Sequence, residues 1–172
     1  MTQHLARKRW LPLLLLCISG LLAACVGPMT RPLTPGMSHA DVLERWGTPS
    51  ATYPATARLG ERWQYSMQPG GQYVLNVDFD AQDQLQTVQQ VLDEGLFEQR
   101  IVVDTWQRED VLREYGHPAE IRRVHNFDGQ IWVWRYLQGP WWRLLFIDID
   151  PDGMVRGWSL GDEDLPDPPD PR

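Results

Sequence analysis

Apolar and polar positions alternate along this chain with two different periods, and the whole pattern is written twice. Val42, Leu43 and Trp46 form a stripe at helical spacing. Strand alternation follows: across Glu61 to Met67, Trp63, Tyr65 and Met67 fall on one face and Arg62, Gln64 and Ser66 on the other. Pro69-Gly70-Gly71 turns the chain into Tyr73 to Asp80, where Tyr73, Leu75, Val77 and Phe79 oppose Asn76, Asp78 and Asp80, and a turn at Asp80 to Asp83 leads into Leu85 to Leu92. The pattern predicts a helix followed by three antiparallel strands, with room for a fourth. A helix of about two and a half turns is too short to be stable alone, so it must lie on the sheet.

The ends of that helix follow from local chemistry. Ser38 is a good N-cap and Asp41, three residues on, is the acidic half of a capping box. Met37 can fold over Val42 as a hydrophobic staple. Gly47 can take a left-handed C′ conformation, and Pro49 forbids continuation.

The second copy lies 69 residues downstream, Asp110-Val111-Leu112 to Gly116 and Pro118 repeating Asp41-Val42-Leu43 to Gly47 and Pro49. Trp106 stands in the staple position. Ile121 to Phe127 reads as a strand, Asp128-Gly129 as a hairpin turn and Gln130 to Leu137 as the returning strand, with Trp132 and Trp134 matching Trp63 and Tyr65. After one inserted residue near Trp141 and Trp142, Leu145, Ile147, Ile149, Asp150 and Val155 match Leu75, Val77, Phe79, Asp80 and Leu85. Between the copies, residues 93–105 hold Leu96, Phe97, Ile101, Val102 and Val103, enough for a short helix and too apolar for a flexible linker. The expected fold class is therefore α+β, two tandem helix-plus-antiparallel-sheet repeats (36–92 and 93–160) packed as one body.

Composition adds a leader and a tail. Arg7, Lys8 and Arg9, an apolar run from Trp10 to Leu22 and the tetrapeptide Leu22-Ala23-Ala24-Cys25 have the three parts of an export signal over residues 1–24, ending in what resembles the lipobox of bacterial lipoproteins. Cys25 would then carry lipid, and residues 25–35, with three prolines, would be a tether. By the same resemblance Val26 favours the outer membrane, because an aspartate after the cysteine would favour retention at the inner one. Removing the leader takes three of sixteen basic residues and leaves thirteen arginines against twenty-three acidic side chains, a formal charge of −10. So acidic a surface does not suit nucleic acid. Residues 161–172 are acidic and proline-rich and are expected to be disordered.

The lipobox, then Gly36-Met37-Ser38 with Asp41-Val42, Gly47 and Pro49, then Trp63-x-Tyr65 and a strand ending Val77-Asp78-Phe79-Asp80, together resemble the BamE (SmpA/OmlA) type of small outer-membrane lipoprotein. The resemblance covers Gly36 to about Val91, and Asp104 to Trp158 again with Thr105-Trp106 in place of Gly-Met. It implies a helix on a three-stranded sheet and an accessory role in the machinery that inserts β-barrel proteins into the outer membrane. That family carries one copy of the module. Tandem modules of similar size also build the β-lactamase inhibitor protein, whose aromatic sheet grips an enzyme. Neither resemblance supplies catalytic residues.

Tests for chemistry return little. Asp148-x-Asp150-x-Asp152-Gly153 opens like an EF-hand loop, but its twelfth position is Ser159, and Asp78 and Asp80 end the equivalent strand in the first copy. His39, His117 and His125 share no metal-ligand spacing. No cofactor, metal or catalytic residue is expected. Trp46, Trp63, Trp132 and Trp134 read first as core. Trp141 and Trp142, adjacent in a strand, must point to opposite faces, so at least one leaves the core beside Arg143, the composition of a binding hot spot. Trp141, Trp142, Arg143 and Trp134 are the candidate partner-binding residues. The chain is expected to be a lipid-anchored, non-catalytic binding scaffold on the periplasmic side of the outer membrane, its partners other envelope proteins such as the barrel-assembly machinery. The alternatives are an inhibitor-like module that captures a secreted enzyme, and a cell-wall-active ligand-binding protein or enzyme.

Overall fold

The computed structural model describes Met29 and residues 31–164; the expected leader and Cys25, within residues 1–28, as well as Thr30 and the chain beyond Asp164, lie outside the described residues. Among the described residues three helices, α1 (His39–Trp46), α2 (Glu94–Arg100) and α3 (Arg108–Tyr115), accompany two four-stranded antiparallel meanders. The first sheet holds β1 (Ala51–Tyr53), β2 (Arg62–Ser66), β3 (Val74–Phe79) and β4 (Leu85–Gln90); the second holds β5 (Glu120–Arg122), β6 (Gln130–Gln138), β7 (Trp141–Ile149) and β8 (Val155–Asp162). The fold is α+β with two repeats, each α-β-β-β-β. None of these helices is long and apolar enough to cross a membrane.

The helix ends have the chemistry expected of them. Ser38 and Asp41 close a capping box, and in α3 the Asp110 carboxylate accepts the Gln107 N–H at 2.8 Å. The stop glycines differ in detail from the left-handed cap. Gly47 (φ 76°, ψ −162°) and Gly116 (φ 70°, ψ −165°) have positive φ with an extended ψ, a region essentially closed to other residues.

Three boundaries depart from the sequence pattern. The three residues of β1 are too few to show an alternation. Ile121 to Phe127 is strand only as far as Arg122, because Arg122, Arg123 and His125 give it no apolar face to bury. Asp128-Gly129 does not make a two-residue hairpin; Gly129 is needed because a Cβ there would lie 2.4 Å from the Ile149 carbonyl oxygen. At the other end, β8 runs past Leu160 into Gly161 and Asp162, which pair with Leu144 and Arg143.

Each helix covers one sheet. α1 buries Val42 and Trp46 against Trp63, Tyr65, Val77 and Phe79, with Trp46 edge-on to Tyr65 at 5.2 Å. In the second repeat Phe97, Val111 and Tyr115 lie over Trp132, Trp134, Tyr136, Leu145 and Ile147, and Val74, Val91 and Leu92 of the first repeat enter the same core.

What joins the repeats is the polar face of the first sheet. Alternation makes β2 half-exposed, yet Trp63, Gln64 and Tyr65 are all buried, because α3 ends against their far side. The last four carbonyls of a helix run short of intrahelical N–H donors, and here side chains donate to each of them, Leu112 O keeping a bond from Gly116 N–H at 2.8 Å as well. Leu112 O accepts the Tyr53 hydroxyl at 2.7 Å; Arg113 O accepts Arg62 Nη1 at 3.3 Å; Glu114 O accepts Asn76 Nδ2 at 2.9 Å; Tyr115 O accepts Trp134 Nε1 at 2.9 Å. Gln64 Nε2 spans Asn76 Oδ1 at 3.0 Å and the Arg113 and Glu114 carbonyls at 3.4 and 3.5 Å. The layers therefore run α1, first sheet, α2 with α3, second sheet.

This junction distinguishes two glycines that the sequence makes equivalent. A Cβ on Gly47 meets nothing within 4 Å, whereas one on Gly116 would sit 2.4 Å from Gln64 Oε1. Gly47→Ala is expected to cost about 1–3 kcal/mol from backbone strain alone. Gly116→Ala should cost about 1–3 kcal/mol more, because buried Gln64 cannot swing aside. Urea midpoints of the two variants check this, and equal losses would mean the junction is looser than drawn.

Candidate functional site

The β6–β7 hairpin closes with Gln138 opposite Trp141 around Gly139-Pro140. Trp141 and Trp142 take opposite faces of β7, as strand geometry requires. Trp141 shares a face with Arg143 and Leu145, overruns the helices and is 70% exposed. Trp142 is half-buried on the far face, with the Arg135 guanidinium 5.7 Å from its ring centroid. Arg143 is tied into the structure. Its Nε lies 3.2 Å from Glu94 Oε1, its Nη1 reaches the Asp162 carboxylate, and Glu94 Oε1 also accepts the Tyr136 hydroxyl at 2.6 Å. Burial and the adjoining Glu94 carboxylate push the Tyr136 phenol well above its ordinary range. Trp134 is fully buried, its Nε1 spent on the Tyr115 carbonyl, and so presents nothing to a partner. Trp141, Trp142 and Arg143 come together with Glu94, Gln138, Asp162 and Glu163 around an open groove of about 780 Å³.

Beside this groove lies the outer face of the second sheet. β6 contributes Ile131, Val133, Arg135 and Leu137, and β7 contributes Trp142, Leu144, Phe146 and Asp148. β8 adds only Gly157, Ser159 and Gly161, and a Cβ on Gly161 would crowd the Phe146 ring at 2.9 Å. The small residues thus let Phe146 lie flat across the sheet, under Arg122 at 5.5 Å from its centroid. A depression of about 580 Å³ opens here over Val133, Leu144 and Phe146, bordered by Glu120, Arg122 and Arg135. One end of the β6 edge is closed by the first repeat, where the Gln68 amide brackets the backbone N–H and carbonyl of Arg135 at 3.3 and 2.7 Å.

The registers make this face the counterpart of the junction. Gln64 pairs with Asn76 as Val133 pairs with Phe146, at equivalent repeat positions. In the first sheet the amides hold the end of α3. In the second, apolar side chains stand at those positions: Val133 and its neighbour Leu144 are buried, and Phe146 is half-buried under Arg122. Sequence reasoning found Trp141 and Trp142 but missed this face; its signal was the apolar residues on both sides of β6 and β7, Ile131 to Trp134 and Leu144 to Ile147.

Of the aspartates at 148–152, Asp150 serves the turn and Asp148 lies within β7. Asp150 accepts Met154 N–H at 2.9 Å and Arg156 Nε at 2.7 Å, and its carboxyl is held below the usual range chiefly by that backbone N–H. Asp80 does the same work in the first repeat, accepting Gln82 and Gln84 N–H at 2.8 and 2.9 Å.

No family model and no curated protein matches the chain. Among solved structures, it is similar to a DUF4309 family protein (YjgB) from Bacillus subtilis, at 16% identity over 73% of this chain and 78% of that one, with a TM-score of 0.31.

Proposed function

We propose that this chain is a non-catalytic protein-binding scaffold of the cell envelope, anchored by lipid on Cys25 at the periplasmic side of the outer membrane, and an accessory to outer-membrane protein assembly as the BamE-type resemblance implies. The observation that carries the binding role is Trp141, 70% exposed at the tip of the β6–β7 hairpin in an open groove lined also by Trp142 and Arg143. Trp142 takes the opposite face of β7 and lines the same groove. An exposed tryptophan in a groove that also holds an arginine is the usual make-up of a protein-binding centre. Envelope proteins are the partners this reading names, with the barrel-assembly machinery first among them.

Affinity capture with the intact lipoprotein tests it. Trp141→Ala should weaken partner recovery by about 2 kcal/mol, roughly thirtyfold, in the range of an interface hot spot. The same change should shift folding stability by less than about 0.5 kcal/mol, because the ring is exposed. Recovery of barrel-assembly subunits that is lost in the variant supports the proposal. Capture of a soluble hydrolase alone would replace it with the inhibitor-like reading, and unchanged recovery would remove the hairpin from the interface.

A further inference from the structure

The first repeat brings together three metal-ligand side chains that sequence spacing keeps apart. His39 opens α1, Glu61 immediately precedes β2, and Asp83 lies in the β3–β4 turn. Strand pairing collects them: Phe79 N–H bonds to Glu61 O at 2.9 Å, and Ser38 bridges to Gln84. One ligand atom from each of the three lies within 4.8 Å of the others.

The geometry around His39 leaves a nitrogen waiting. Its ring is stacked on Trp63 at 4.6 Å and wedged against Phe79 at 4.0 Å, which fixes its orientation. Nε2 is buried and has no hydrogen-bond partner. Glu61 Oε2 faces it at 3.7 Å, too far for a hydrogen bond. The other Glu61 oxygen accepts Trp63 Nε1 at 2.7 Å, so the carboxylate is held with Oε2 toward the imidazole. A buried polar atom without a partner is unfavourable. Two atoms 3.7 Å apart can both be reached by one ion at about 2.1 Å from each, a normal zinc–nitrogen and zinc–oxygen distance, at an angle of about 120°. Asp83 is exposed on its turn, and its carboxylate has the freedom to close the third position.

The second repeat supplies an independent comparison. Its equivalents of His39, Glu61 and Asp83 are Arg108, Gln130 and Gly153. There the Arg108 guanidinium sits 5.9 Å from the Trp132 centroid, Trp132 Nε1 donates to Gln130 at 3.0 Å, and the Arg108 side chain passes close to Gly153. At the three equivalent positions the second repeat thus carries its own cation and no carboxylate. At those positions the first repeat has two carboxylates and an imidazole, and neither lysine nor arginine. The swap is what a bound cation requires.

We propose that His39 Nε2, Glu61 Oε2 and an Asp83 carboxylate oxygen form a site for one divalent first-row cation, with Zn²⁺ the best match to a mixed imidazole and carboxylate set. Three protein ligands leave a position for water. The ion ties the first turn of α1 to the β3–β4 turn, which places its role in stability rather than in the binding face. Trp63 acts as the outer partner that orients Glu61.

Calorimetric titration of the chelator-stripped full chain with Zn²⁺ should show one saturable site and a raised unfolding temperature. Glu61→Gln and Asp83→Asn should each weaken binding by about tenfold or more, while both variants keep the wild-type circular dichroism. His125→Ala, on a loop of the second repeat, should bind as the parent does. Co²⁺ in place of Zn²⁺ should give a visible spectrum that Glu61→Gln alters. Absence of saturable binding in the folded parent would overturn the site. So would undiminished one-to-one binding in the Glu61→Gln, Asp83→Asn double variant.

Discussion

Replacing Glu114 with alanine is expected to lower folding stability by about 3 kcal/mol, the low end of the range for removing one partner of a buried ion pair. The carboxylate is 9% exposed and lies between two guanidinium groups. Oε2 takes Arg62 Nη1 at 2.6 Å, and Oε1 takes Arg100 Nη1. Truncation leaves both cations in a layer between the two sheets with their shared anion gone. The loss stays at the low end because each arginine keeps other acceptors. Arg62 retains Asp78, at 2.6 and 2.9 Å, and the Arg113 carbonyl; Arg100 retains Gln89. Burial works against the Arg62 charge, and Asp78 with Glu114 more than offsets it, so its pKa lies above the ordinary value. Urea unfolding of the variant checks the figure. A loss below about 1 kcal/mol, the worth of an exposed pair, would mean that water reaches the layer and the repeats are not coupled through it. If the layer is dry, the double change Glu114→Leu with Arg100→Met should recover part of the loss, since removing both charges also removes the desolvation cost.

The same layer marks where the sequence stopped being informative. Caps, stops and apolar stripes are local devices, and Ser38, Asp41 and Asp110 did what their positions implied. Arg62, Gln64 and Asn76 alternate with apolar residues just as a solvent-facing row does. They are buried because the end of a helix offers bare carbonyls, and amide and guanidinium donors are the side chains that satisfy them. Period-two patterning cannot separate a polar row facing water from one facing a helix end. The reverse holds on the second sheet, where Val133 and Phe146 interrupt the polar row at the same two positions. That departure between copies was visible in the sequence, but only the strand registers show that it falls on the docking face.

Candidate residues divided along a similar line. The exposure of Trp141 follows from two adjacent tryptophans on one strand. The pairing of Arg143 does not, because Glu94 and Asp162 are 49 and 19 residues away along the chain. His39, Glu61 and Asp83 are each separated by 22 residues, with a helix, a loop and a hairpin between them. Ligand motifs read from sequence depend on short spacing within one element, and these three meet only through strand pairing.

Trp134 separates a structural role from a binding role most sharply. Trp134→Ala should cost about 4 kcal/mol, in the range for emptying a large aromatic site in a core. The side chain is fully buried, 5.9 Å from Tyr115 and 6.1 Å from Trp132 between ring centroids, and its Nε1 supplies the side-chain bond that the Tyr115 carbonyl receives at the end of α3. Trp134→Phe should lose about 2 kcal/mol, from a smaller cavity and from a carbonyl left without that donor. Tyr65 holds the equivalent place in the first repeat, donating to Gly47 O at 2.9 Å, and burial pushes its phenol up to about 12. Tyr65→Phe keeps the ring and removes only the hydroxyl, so about 1 kcal/mol is expected. Thermal or urea unfolding orders the three variants, and a Trp134→Phe as stable as the parent would show that the bond to the helix end contributes nothing. Partner capture gives the functional contrast. Trp134→Ala should lose binding in proportion to the fraction unfolded, and recover it on cooling toward the temperature of maximum stability. Trp141→Ala should lose binding at every temperature while remaining folded. If Trp134→Ala were folded and still unable to bind, the core tryptophan would belong to the interface after all, and the groove at the β6–β7 hairpin would not be the surface that carries it.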